Sequence, residues 1–425
     1  MNEILLHSAP ARSAAPPTKA TFYQRQVVFA LEKMTAGSLR LELPDGTIKQ
    51  IGQPGGAVDA SLRVLAPDFF RRCVLFGDIG FGESYVDGEW ETDSIERVIS
   101  WAILNLENSA ALSGSKTRQF GLNLLKFYNR ACHVLNPNSL RNARRNIAEH
   151  YDLGNDFYSL WLDSTMTYSS AYFTAPDQSL ESAQTAKYDA LCRKLHLRPS
   201  DRVLEIGGGW GGFASHAARR YGCHVTTVTI SAAQHEYAKA RYAREGLAGR
   251  VELRLLDFRT LSGQFDKIVS IEMMEALGDR YLETFCAKLH EVLKPAGLVG
   301  LQYITMPDSR HAEMRRGVDW IQKHVFPGSS LLSVGRVNET LNRTGDLFLH
   351  DLKDLGASYA RTLHTWWQTF NDRLDAVRGQ GFDGRFIRKW NYYLQYCEAA
   401  FAQRNISVVQ AIYTRPNNRH LAARS

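Results

Sequence analysis

One stretch, Asp201–Phe213, limits what this chain can fold into more than any other. Its sequence is DRVLEIGGGWGGF, a short apolar run (Arg202–Ile206) followed by closely spaced glycines. A buried strand that enters such a turn and then the helical pattern of Ala214–Arg220 is typical of a βαβ unit. Glycine lets the backbone approach a ligand where a Cβ would clash, and the N–H groups of the helix N-terminus face that ligand. The stretch therefore predicts a nucleotide-binding turn.

The residues after the turn distinguish between cofactors. The spacing Gly207-x-Gly209-x-x-Gly212 also fits a dinucleotide fingerprint, which needs an acid about 20 residues on, at the end of the next strand. That strand, His224–Ser231, ends without an acid. The ends of three successive strands instead suit the parts of a single nucleoside, and they carry Glu205, then Thr229, Ser231 and Gln234, then Asp257 and Phe258. This pattern predicts a site for S-adenosylmethionine; glycines that merely allow close helix–strand packing are the alternative.

Strands and helices continue to alternate after this unit. A fourth strand is predicted at Lys267–Ile271, a helix in YLETFCAKLHEVLKPAG and a fifth strand in LVGLQYITM. The remainder, from Pro307 to Arg415, is predicted to be mainly helical, including one helix over EMRRGVDWIQKHVF, and to finish with the strand SVVQAIYTR. Such alternation predicts an α/β fold, a doubly wound, seven-stranded, Rossmann-like methyltransferase domain with a parallel sheet and a helical cover. Ligands then lie at the carboxyl ends of the strands.

A separate small α+β domain is predicted over residues 21–110. FYQRQVVFALEKM has the spacing of an amphipathic helix, and GSLRLELPDGTIKQI that of a hairpin with Asp45 and Gly46 at its turn. A strand, a helix and a glycine-rich loop are predicted next, before a helix capped near Asp93 or Ser94. The spacing shows no catalytic cluster here, so we expect a role in lipid docking, packing or dimerisation. A homodimer is compatible with this organisation.

The composition of the chain indicates its cellular compartment and the kind of partner it can bind. The formal net charge of +7 is compatible with an anionic partner, either nucleic acid or phospholipid. The six cysteines form no C-x-x-C pair and have no histidines at metal-binding spacing, which predicts a reducing compartment and no metal site. No apolar run approaches the roughly 18 residues that span a bilayer. Residues 1–20 are expected to be a disordered tail rather than a signal peptide, so the protein is expected to be cytoplasmic.

Residues 111–145 are predicted to form a basic linker with a helical part. Cations alternate there with Phe120, Phe127 and Tyr128. The cations are Lys116, Arg118, Lys126, Arg130, Arg141, Arg144 and Arg145. Such a mixture suits the headgroup boundary of a membrane, which favours peripheral association with the inner membrane face. A solvated linker helix is the alternative.

Six segments, in order along the chain, resemble the cyclopropane fatty acid synthases. They are HYDLGNDFYSLWLDSTMTYSSAYF, VLEIGGGWGGFASHAA, VTISAAQ, FDKIVSIEMMEALG, WIQKHVFPG and YYLQYCEAAF. The likeness runs from about Asn146 to Arg415, which makes 146–425 the predicted catalytic domain. GFGESYVDGEWETDSIERVI is similar to the family's N-terminal domain. The resemblance implies S-adenosylmethionine as the methyl donor and an unsaturated acyl chain of a membrane phospholipid as the acceptor.

The reaction implied by the resemblance begins when the alkene attacks the sulfonium methyl group. The resulting carbocation loses a proton from that methyl and closes a cyclopropane ring. Because an alkene is a weak nucleophile, the site must align it with the methyl group in a dry pocket. Aromatic faces would stabilise the cation, and the candidates are Tyr168, Tyr172, Tyr303 and Tyr359.

A bound bicarbonate is implied as the base that removes this proton. The family's ligands carry over onto Ser170, Glu275, Gln302, the backbone amide of Ile304 and Tyr359. Glu275 and Tyr359 match the family, whereas Ser170 replaces a cysteine and Gln302 a histidine. Serine and glutamine can still donate hydrogen bonds to a carbonate oxygen. The two replacements motivate an alternative, a methyl or methylene branch on the acyl chain without ring closure.

The resemblance also implies which residues hold the cofactor. They are Tyr168, Ser169, Gly207, Gly208, Gly209, Trp210, Gly211, the segment Thr229–Gln234, Asp257 and Phe258. Gly208 replaces a cysteine that the family usually has, a change that should be harmless to binding. Cys397 matches the cysteine long regarded as the family's active-site residue. Methyl transfer to an alkene needs no covalent enzyme intermediate, however, and a helical cysteine beside Tyr396 and Phe401 is typical of an inert buried thiol.

Two other classes of function remain as alternatives. The positive charge is compatible with a nucleic-acid methyltransferase, but SIEMMEALG follows the fourth strand where an N-P-P-Y-type motif or a cysteine nucleophile would lie. A non-catalytic lipid-binding or scaffold protein could keep the same fold, although the intact glycine turn disfavours it. We therefore expect no nucleic-acid partner.

Overall fold

The computed structural model describes residues 20–105, 153–315 and 317–422. The chain divides into two compact units, residues 1–118 and 119–425. The predicted basic linker and all of the predicted tail except Ala20 lie outside the described residues. Within the described ranges, no helix is both long enough and apolar enough to cross a membrane.

The N-terminal unit is an α+β fold built on a four-stranded sheet of order β2-β1-β3-β4. The predicted hairpin is confirmed, because β1 and β2 pair antiparallel and Gly46 has a φ of 82° in the turn between them. Ser94 caps the last helix as predicted by accepting a hydrogen bond from the N–H of Arg97. The elements are α1 (Phe22–Leu31), β1 (Ser38–Glu42), β2 (Ile48–Gly52), β3 (Asp59–Val64), α2 (Asp68–Val86), β4 (Trp90–Glu91) and α3 (Ile95–Leu104).

The glycine-rich loop predicted in this unit is wrong, since its glycines lie inside α2. Gly77 breaks the helix, with φ 60° and ψ −133°, but helical backbone lies on both sides of it. A Cβ on Gly80 would stand 2.3 Å from the carbonyl oxygen of Arg72. The glycines therefore allow the two halves of a kinked helix to approach each other closely, rather than forming a loop.

The C-terminal unit is built on a seven-stranded sheet of order β10-β11-β9-β8-β5-β6-β7. Its first elements are α4 (Asn155–Ser159), α5 (Leu180–Lys194), β5 (Arg202–Ile206), α6 (Gly212–Tyr221), β6 (His224–Thr229), α7 (Ala232–Arg244), β7 (Val251–Leu255), β8 (Phe265–Ile271), α8 (Asp279–Val292) and β9 (Leu293–Thr305). The later ones are α9 (Asp308–Met314), α10 (Trp320–His324), α11 (Val334–Thr344), β10 (Phe348–Asp354), α12 (Gly356–Asp372), α13 (Leu374–Gly379), α14 (Gly384–Ala402), β11 (Ser407–Thr414) and α15 (Arg419–Ala422).

The predicted α/β class and the seven strands are confirmed. Strands β5 to β9 pair in parallel, and buried aliphatic residues of β5, β6 and β8 pack between helices. The sheet is not wholly parallel, because β11 runs antiparallel to both of its neighbours, β9 and β10. The chain passes from β5 to β6 and β7 on one side and then to β8 and β9 on the other. This reversal of strand order leaves a crevice at the carboxyl ends of β5 and β8.

Two local predictions in the C-terminal unit are wrong. The helix expected over EMRRGVDWIQKHVF is two short helices, α9 and α10, because Asp319 begins α10 with a capping box that it forms with Gln322. Strand β10 was not expected. Its sequence, FLHDLKD, is mostly exposed and charged at the edge of the sheet, so it lacks the regular apolar alternation by which strands are recognised.

Candidate functional site

A continuous cavity lies at the carboxyl ends of β5, β6 and β8. One part is lined by the glycine turn and by polar residues at the strand ends. The other part is apolar and is lined by side chains from the helical cover, among them Ile321, Phe326, Leu331, Leu363, Ala400 and Phe401. A polar ligand and a hydrocarbon chain can therefore meet inside one enclosed space.

The glycine turn is fixed by backbone hydrogen bonds. The N–H groups of Gly207 and Gly208 donate to the carbonyl of Val228 on β6, at 3.0 and 3.1 Å. Gly207 and Gly209 have φ values of 89° and 52°, in the region that favours glycine. A Cβ on Gly208 would stand 2.1 Å from Oγ1 of Thr227. The turn therefore packs directly on β6, and the N-terminus of α6 is left facing the cavity.

The first strand end holds a buried acid, Glu205. Burial raises its pKa to about 7, and the hydrogen bond that Thr227 donates at 2.6 Å opposes this shift. At the end of β6, Thr229 and Gln234 line the cavity and are joined by a 3.1 Å hydrogen bond. Ser231 does not line the cavity; it caps α7 by accepting a hydrogen bond from the N–H of Gln234.

The remaining predicted cofactor residues also lie around the polar part of the cavity, with one exception. Tyr168, Ser169, Gly207, Gly208, Gly209, Trp210, Asp257 and Phe258 line it. Gly211 does not, because it lies behind the turn, where a Cβ would stand 2.6 Å from the hydroxyl of Tyr242. The carboxylate of Asp257 binds the Arg259 guanidinium at 2.7 Å, which fixes its orientation.

This set of donors fits S-adenosylmethionine. The α6 N-terminus and Glu205 can hold the two charged groups of its amino-acid end, and Thr229 with Gln234 can bind the ribose hydroxyls. Phe258 offers an aromatic face to the purine. Within the turn, Gly209 has open space where a Cβ would stand, so a ligand can approach the backbone there. The geometry thus supports the nucleoside that the sequence predicted.

A carboxylate that the sequence analysis missed, Glu272, lies where the predicted catalytic residues converge. Its Oε1 accepts hydrogen bonds from the N–H of Ser170 at 2.8 Å and from Nε2 of Gln302 at 2.7 Å. Its Oε2 accepts from the hydroxyl of Tyr359 at 2.7 Å. Glu272 follows β8 with a φ of 47°, a strained conformation for a non-glycine residue that is often found at functional sites. Ser170 and Gln302 lie behind this carboxylate, whereas Glu272 itself lines the cavity.

Glu275 lines the same wall but is in a different electrostatic state. Burial raises its pKa to about 8, and the nearby charge of Glu272 adds to this effect. Its Oε1 accepts from the N–H of Ile304, and its Oε2 is buried without a hydrogen-bond partner. Burial also raises the pKa of Glu272, but Lys187, Gln302, Tyr359 and Ser170 all oppose that shift. Burial and the charge of Glu272 thus favour the protonated form of Glu275 at neutral pH, whereas four neighbours favour the ionised form of Glu272.

The donors that the resemblance assigned to a bicarbonate do not suit that ion in this chain. Gln302, Tyr359 and the N–H of Ser170 donate to Glu272, and the N–H of Ile304 donates to Glu275. The hydroxyl of Ser170 donates to the carbonyl of Ala171. A bicarbonate placed among these groups would meet two carboxyl groups and donors that are already bonded. The carboxyl group of Glu272 takes the hydrogen bonds at this position instead.

Aromatic rings surround the junction between the polar and apolar parts. Tyr168 and Tyr359 line the cavity, and Trp366 packs against both, with ring centroids 5.4 and 6.2 Å away. The ring of Phe401 lies tilted against that of Tyr359, with the centroids 4.4 Å apart. Two of the four predicted aromatic candidates lie elsewhere: Tyr303 is bonded to Tyr413 inside the sheet, and Tyr172 does not line the cavity.

Cys397 lines the cavity with a protonated thiol. Burial raises its pKa far above the usual range, so the nucleophilic thiolate is not formed. We expect Cys397→Ala to keep kcat for methyl transfer within about threefold, whereas loss of a nucleophile costs several orders of magnitude. The measurement is the initial rate with labelled donor, with Cys223→Ala, a buried cysteine outside the cavity, as control. A selective collapse of the Cys397→Ala rate would show that the thiol takes part in the chemistry.

The comparisons with known proteins identify the family. Residues 138–411 match the model of the mycolic acid cyclopropane synthetase family. The chain is 38% identical to the tuberculostearic acid methyltransferase UfaA1 of Mycobacterium tuberculosis, over 88% of this chain and 86% of that protein. It is 37% identical to the cyclopropane-fatty-acyl-phospholipid synthase of Escherichia coli, over 85% of this chain and 89% of that protein.

Solved structures agree at the level of the catalytic fold. The cyclopropane synthase MmaA2 of Mycobacterium tuberculosis superposes with a TM-score of 0.59 at 29% identity, over 64% of this chain and 98% of that one. The mycolic acid cyclopropane synthase CmaA1, solved with SAH and CTAB, gives 0.59 at 28% identity over 64% and 98%. The predictions of the family, of a Rossmann-like methyltransferase fold and of a methyl-transferring enzyme acting on unsaturated acyl chains are confirmed. With the family model matched over more than half of its length, this chain belongs to the mycolic acid cyclopropane synthetase family of S-adenosylmethionine-dependent enzymes.

Proposed function

We propose that the protein converts the double bond of an unsaturated phospholipid acyl chain into a cyclopropane ring, with Glu272 as the proton acceptor. S-Adenosylmethionine supplies an electrophilic methyl group when bound. The observation that carries the proposal is the carboxyl group of Glu272, which accepts three hydrogen bonds on the wall of a cavity that is polar at the glycine turn and apolar beyond it.

The apolar wall binds the acyl chain and excludes water. Leu363, Phe326 and Phe401 offer hydrocarbon surface but no nucleophile, which protects a reactive chain from side reactions. Tyr168 and Tyr359 present ring faces where positive charge develops on the acyl chain. The main contribution of the apolar wall is to align the double bond of the acyl chain with the reacting methyl group.

Glu272 completes the reaction by accepting the proton that the methylated chain must lose. Its three hydrogen-bond donors fix the orientation of the carboxylate without occupying all of its lone pairs. Glu275, protonated at neutral pH, reduces the charge repulsion that a second carboxylate would create. Gln302, which replaces the family's histidine, and the backbone N–H of Ser170 hold a glutamate in place of a bicarbonate.

A second candidate is a methyl or methylene branch without ring closure. Two observations favour it: the 38% identity to a protein named as a tuberculostearic acid methyltransferase, and the replacements at Ser170 and Gln302. In that outcome a hydride shifts from the methylated carbon to the neighbouring cationic carbon, and Glu272 then takes a proton from a carbon next to the new cation, so one carbon–carbon double bond remains. The same base therefore serves either product.

Product analysis separates these candidates. We expect incubation of the protein with isotope-labelled S-adenosylmethionine and vesicles of mono-unsaturated phospholipid to add one CH₂ to the acyl chain. Mass spectrometry before and after catalytic hydrogenation gives the answer, because a cyclopropane keeps its mass under mild conditions whereas a methylene branch gains two hydrogens. Label found in added RNA or DNA and absent from lipid would overturn the assignment to lipid.

We also propose that the protein works at the surface of a membrane. Phe22 and Phe29, seven residues apart on α1, are 59% and 58% exposed, and the Lys33 ammonium lies 4.0 Å from the centre of the Phe29 ring. Exposed aromatic rings next to a cation suit the headgroup boundary. This supports lipid docking by the N-terminal unit and peripheral association with the inner membrane face; a homodimer stays a proposal.

A further inference from the structure

Lys187, on α5, is completely buried, which is rare for a lysine unless its charge is paired. Its Nζ donates to Oγ of Ser169 at 2.6 Å and lies 4.5 Å from the centre of the Tyr188 ring. Gln184, on the same helix, donates to the carbonyl of Ser169 at 2.9 Å. One face of α5 therefore holds the segment whose next residue, Ser170, binds Glu272.

A second route joins Lys187 to the same carboxylate from the sheet. Nε2 of Gln410, on β11, donates to the carbonyl of Lys187 at 3.2 Å and to Oε1 of Gln302 at 3.0 Å. Gln302 in turn donates to Glu272. Lys187, Gln302 and Gln410 are fully buried, and a charge in such surroundings interacts strongly with its neighbours.

We propose that Lys187 is a positioning residue whose buried ammonium keeps Glu272 ionised and in place as the proton acceptor. The inference rests on the proposed role of Glu272. Lys187 does not line the cavity. It influences Glu272 through the residues hydrogen-bonded between them, which are Ser169 and Ser170 on one side and Gln410 and Gln302 on the other.

The charges around Lys187 and Glu272 determine in which direction the loss of Lys187 changes the pKa of Glu272. Burial lowers the pKa of Lys187 to about 7, opposed by the negative charges of Glu272 and Asp163. Burial raises the pKa of Glu272, and the Lys187 cation is the strongest influence against that rise. Glu275 faces Glu272 from the same turn and Tyr359 faces it from α12. Removing the cation should therefore raise the pKa of Glu272 further, so that the base becomes protonated at a higher pH.

The test is the pH dependence of kcat in Lys187→Met and Lys187→Arg. We expect the acid limb of the kcat–pH profile of Lys187→Met to shift to higher pH by about one pH unit or more, so that kcat recovers as the pH rises. Lys187→Arg keeps the positive charge and should restore the limb to its wild-type position. Lys288→Met, which removes a mostly buried lysine on α8 outside the cavity, should leave the limb where it is.

A lysine with a merely structural role would lower kcat equally at every pH, and that outcome would overturn the inference. Binding of S-adenosylhomocysteine by calorimetry shows that each variant is folded. If Lys187→Met does not bind it, Lys187→Gln carries the same test, because the amide keeps a donor for Ser169 without the charge. If Glu272→Gln is inactive but the acid limb of the pH profile of Lys187→Met stays at its wild-type position, the role of Lys187 is refuted and that of Glu272 stands. If Glu272→Gln is fully active, the proposed base itself is refuted.

Discussion

Glu272→Gln is expected to lower kcat for methyl transfer to lipid by about 10²–10⁴-fold while leaving cofactor binding nearly unchanged. The amide oxygen can still accept from Ser170 and Gln302, and the amide nitrogen can donate to the Tyr359 hydroxyl, so the geometry survives. What is lost is the negative charge and the capacity to take a proton. The measurements are single-turnover rates with phospholipid vesicles and the Kd of S-adenosylhomocysteine.

Glu275→Gln is the matched control, three residues away on the same wall. Since burial raises the pKa of Glu275 to about 8, its carboxyl is largely protonated at pH 7, and an amide reproduces that state. We expect its rate at pH 7 to fall far less than that of Glu272→Gln. Comparable losses in both variants would mean that the two carboxyl groups act as one unit, and a Glu272→Gln enzyme within tenfold of wild type would rule out Glu272 as the base.

Gly208→Cys, which introduces the residue that is usual in the family, is expected to weaken S-adenosylhomocysteine binding by about 10–100-fold, a penalty of roughly 1–3 kcal/mol for overpacking. A Cβ at this position would stand 2.1 Å from Oγ1 of Thr227 and 3.2 Å from Oε2 of Glu205. The turn or β6 must shift to admit it, and both form part of the nucleoside site. Calorimetric titration gives the change in Kd.

Two further variants isolate the cause. Gly208→Cys combined with Thr227→Ala removes the hydroxyl that the new side chain would meet, so part of the lost affinity should return. Gly249→Cys introduces the same side chain at a glycine with open space around it and should bind as wild type does. If the double variant binds no better than Gly208→Cys, the contact with Thr227 is not the reason for the loss.

Much of the catalytic fold could be predicted from sequence because its signals are local. The strand before the glycine turn, Arg202–Ile206, coincides with β5, since a continuous apolar run between turn signals is typical of a buried parallel strand. Strand β10 could not be recognised in this way, because its side chains are mostly exposed and its pairing with β11 depends on residues far away in the chain. The same holds for α2, whose glycines look like a loop until the packing of its two halves is known.

Most residues of the polar part of the site could be predicted from the sequence, whereas Ser231 and Gly211 do not line it and the central carboxylate, Glu272, was missed. SIEMMEALG contains two acids three residues apart, and nothing in the sequence shows that the backbone turns through a positive φ at the first of them, Glu272. Three donors from distant parts of the chain converge on it only in the fold. Lys187 was missed for a related reason: a lysine on a polar helix is ordinarily solvated, and its burial is a property of the tertiary structure.

The place of β11 in the sheet constrains how this protein can be made. Ser407–Thr414 follow β10 in the chain yet lie between β10 and β9. While the nascent chain is still growing, β9 must therefore keep one edge unpaired and β10 has no neighbour at all. Such exposed edges attract other chains. β11 is thus the strand that joins β10 to β9, and a chain ending before it would leave the facing edges of β9 and β10 unpaired.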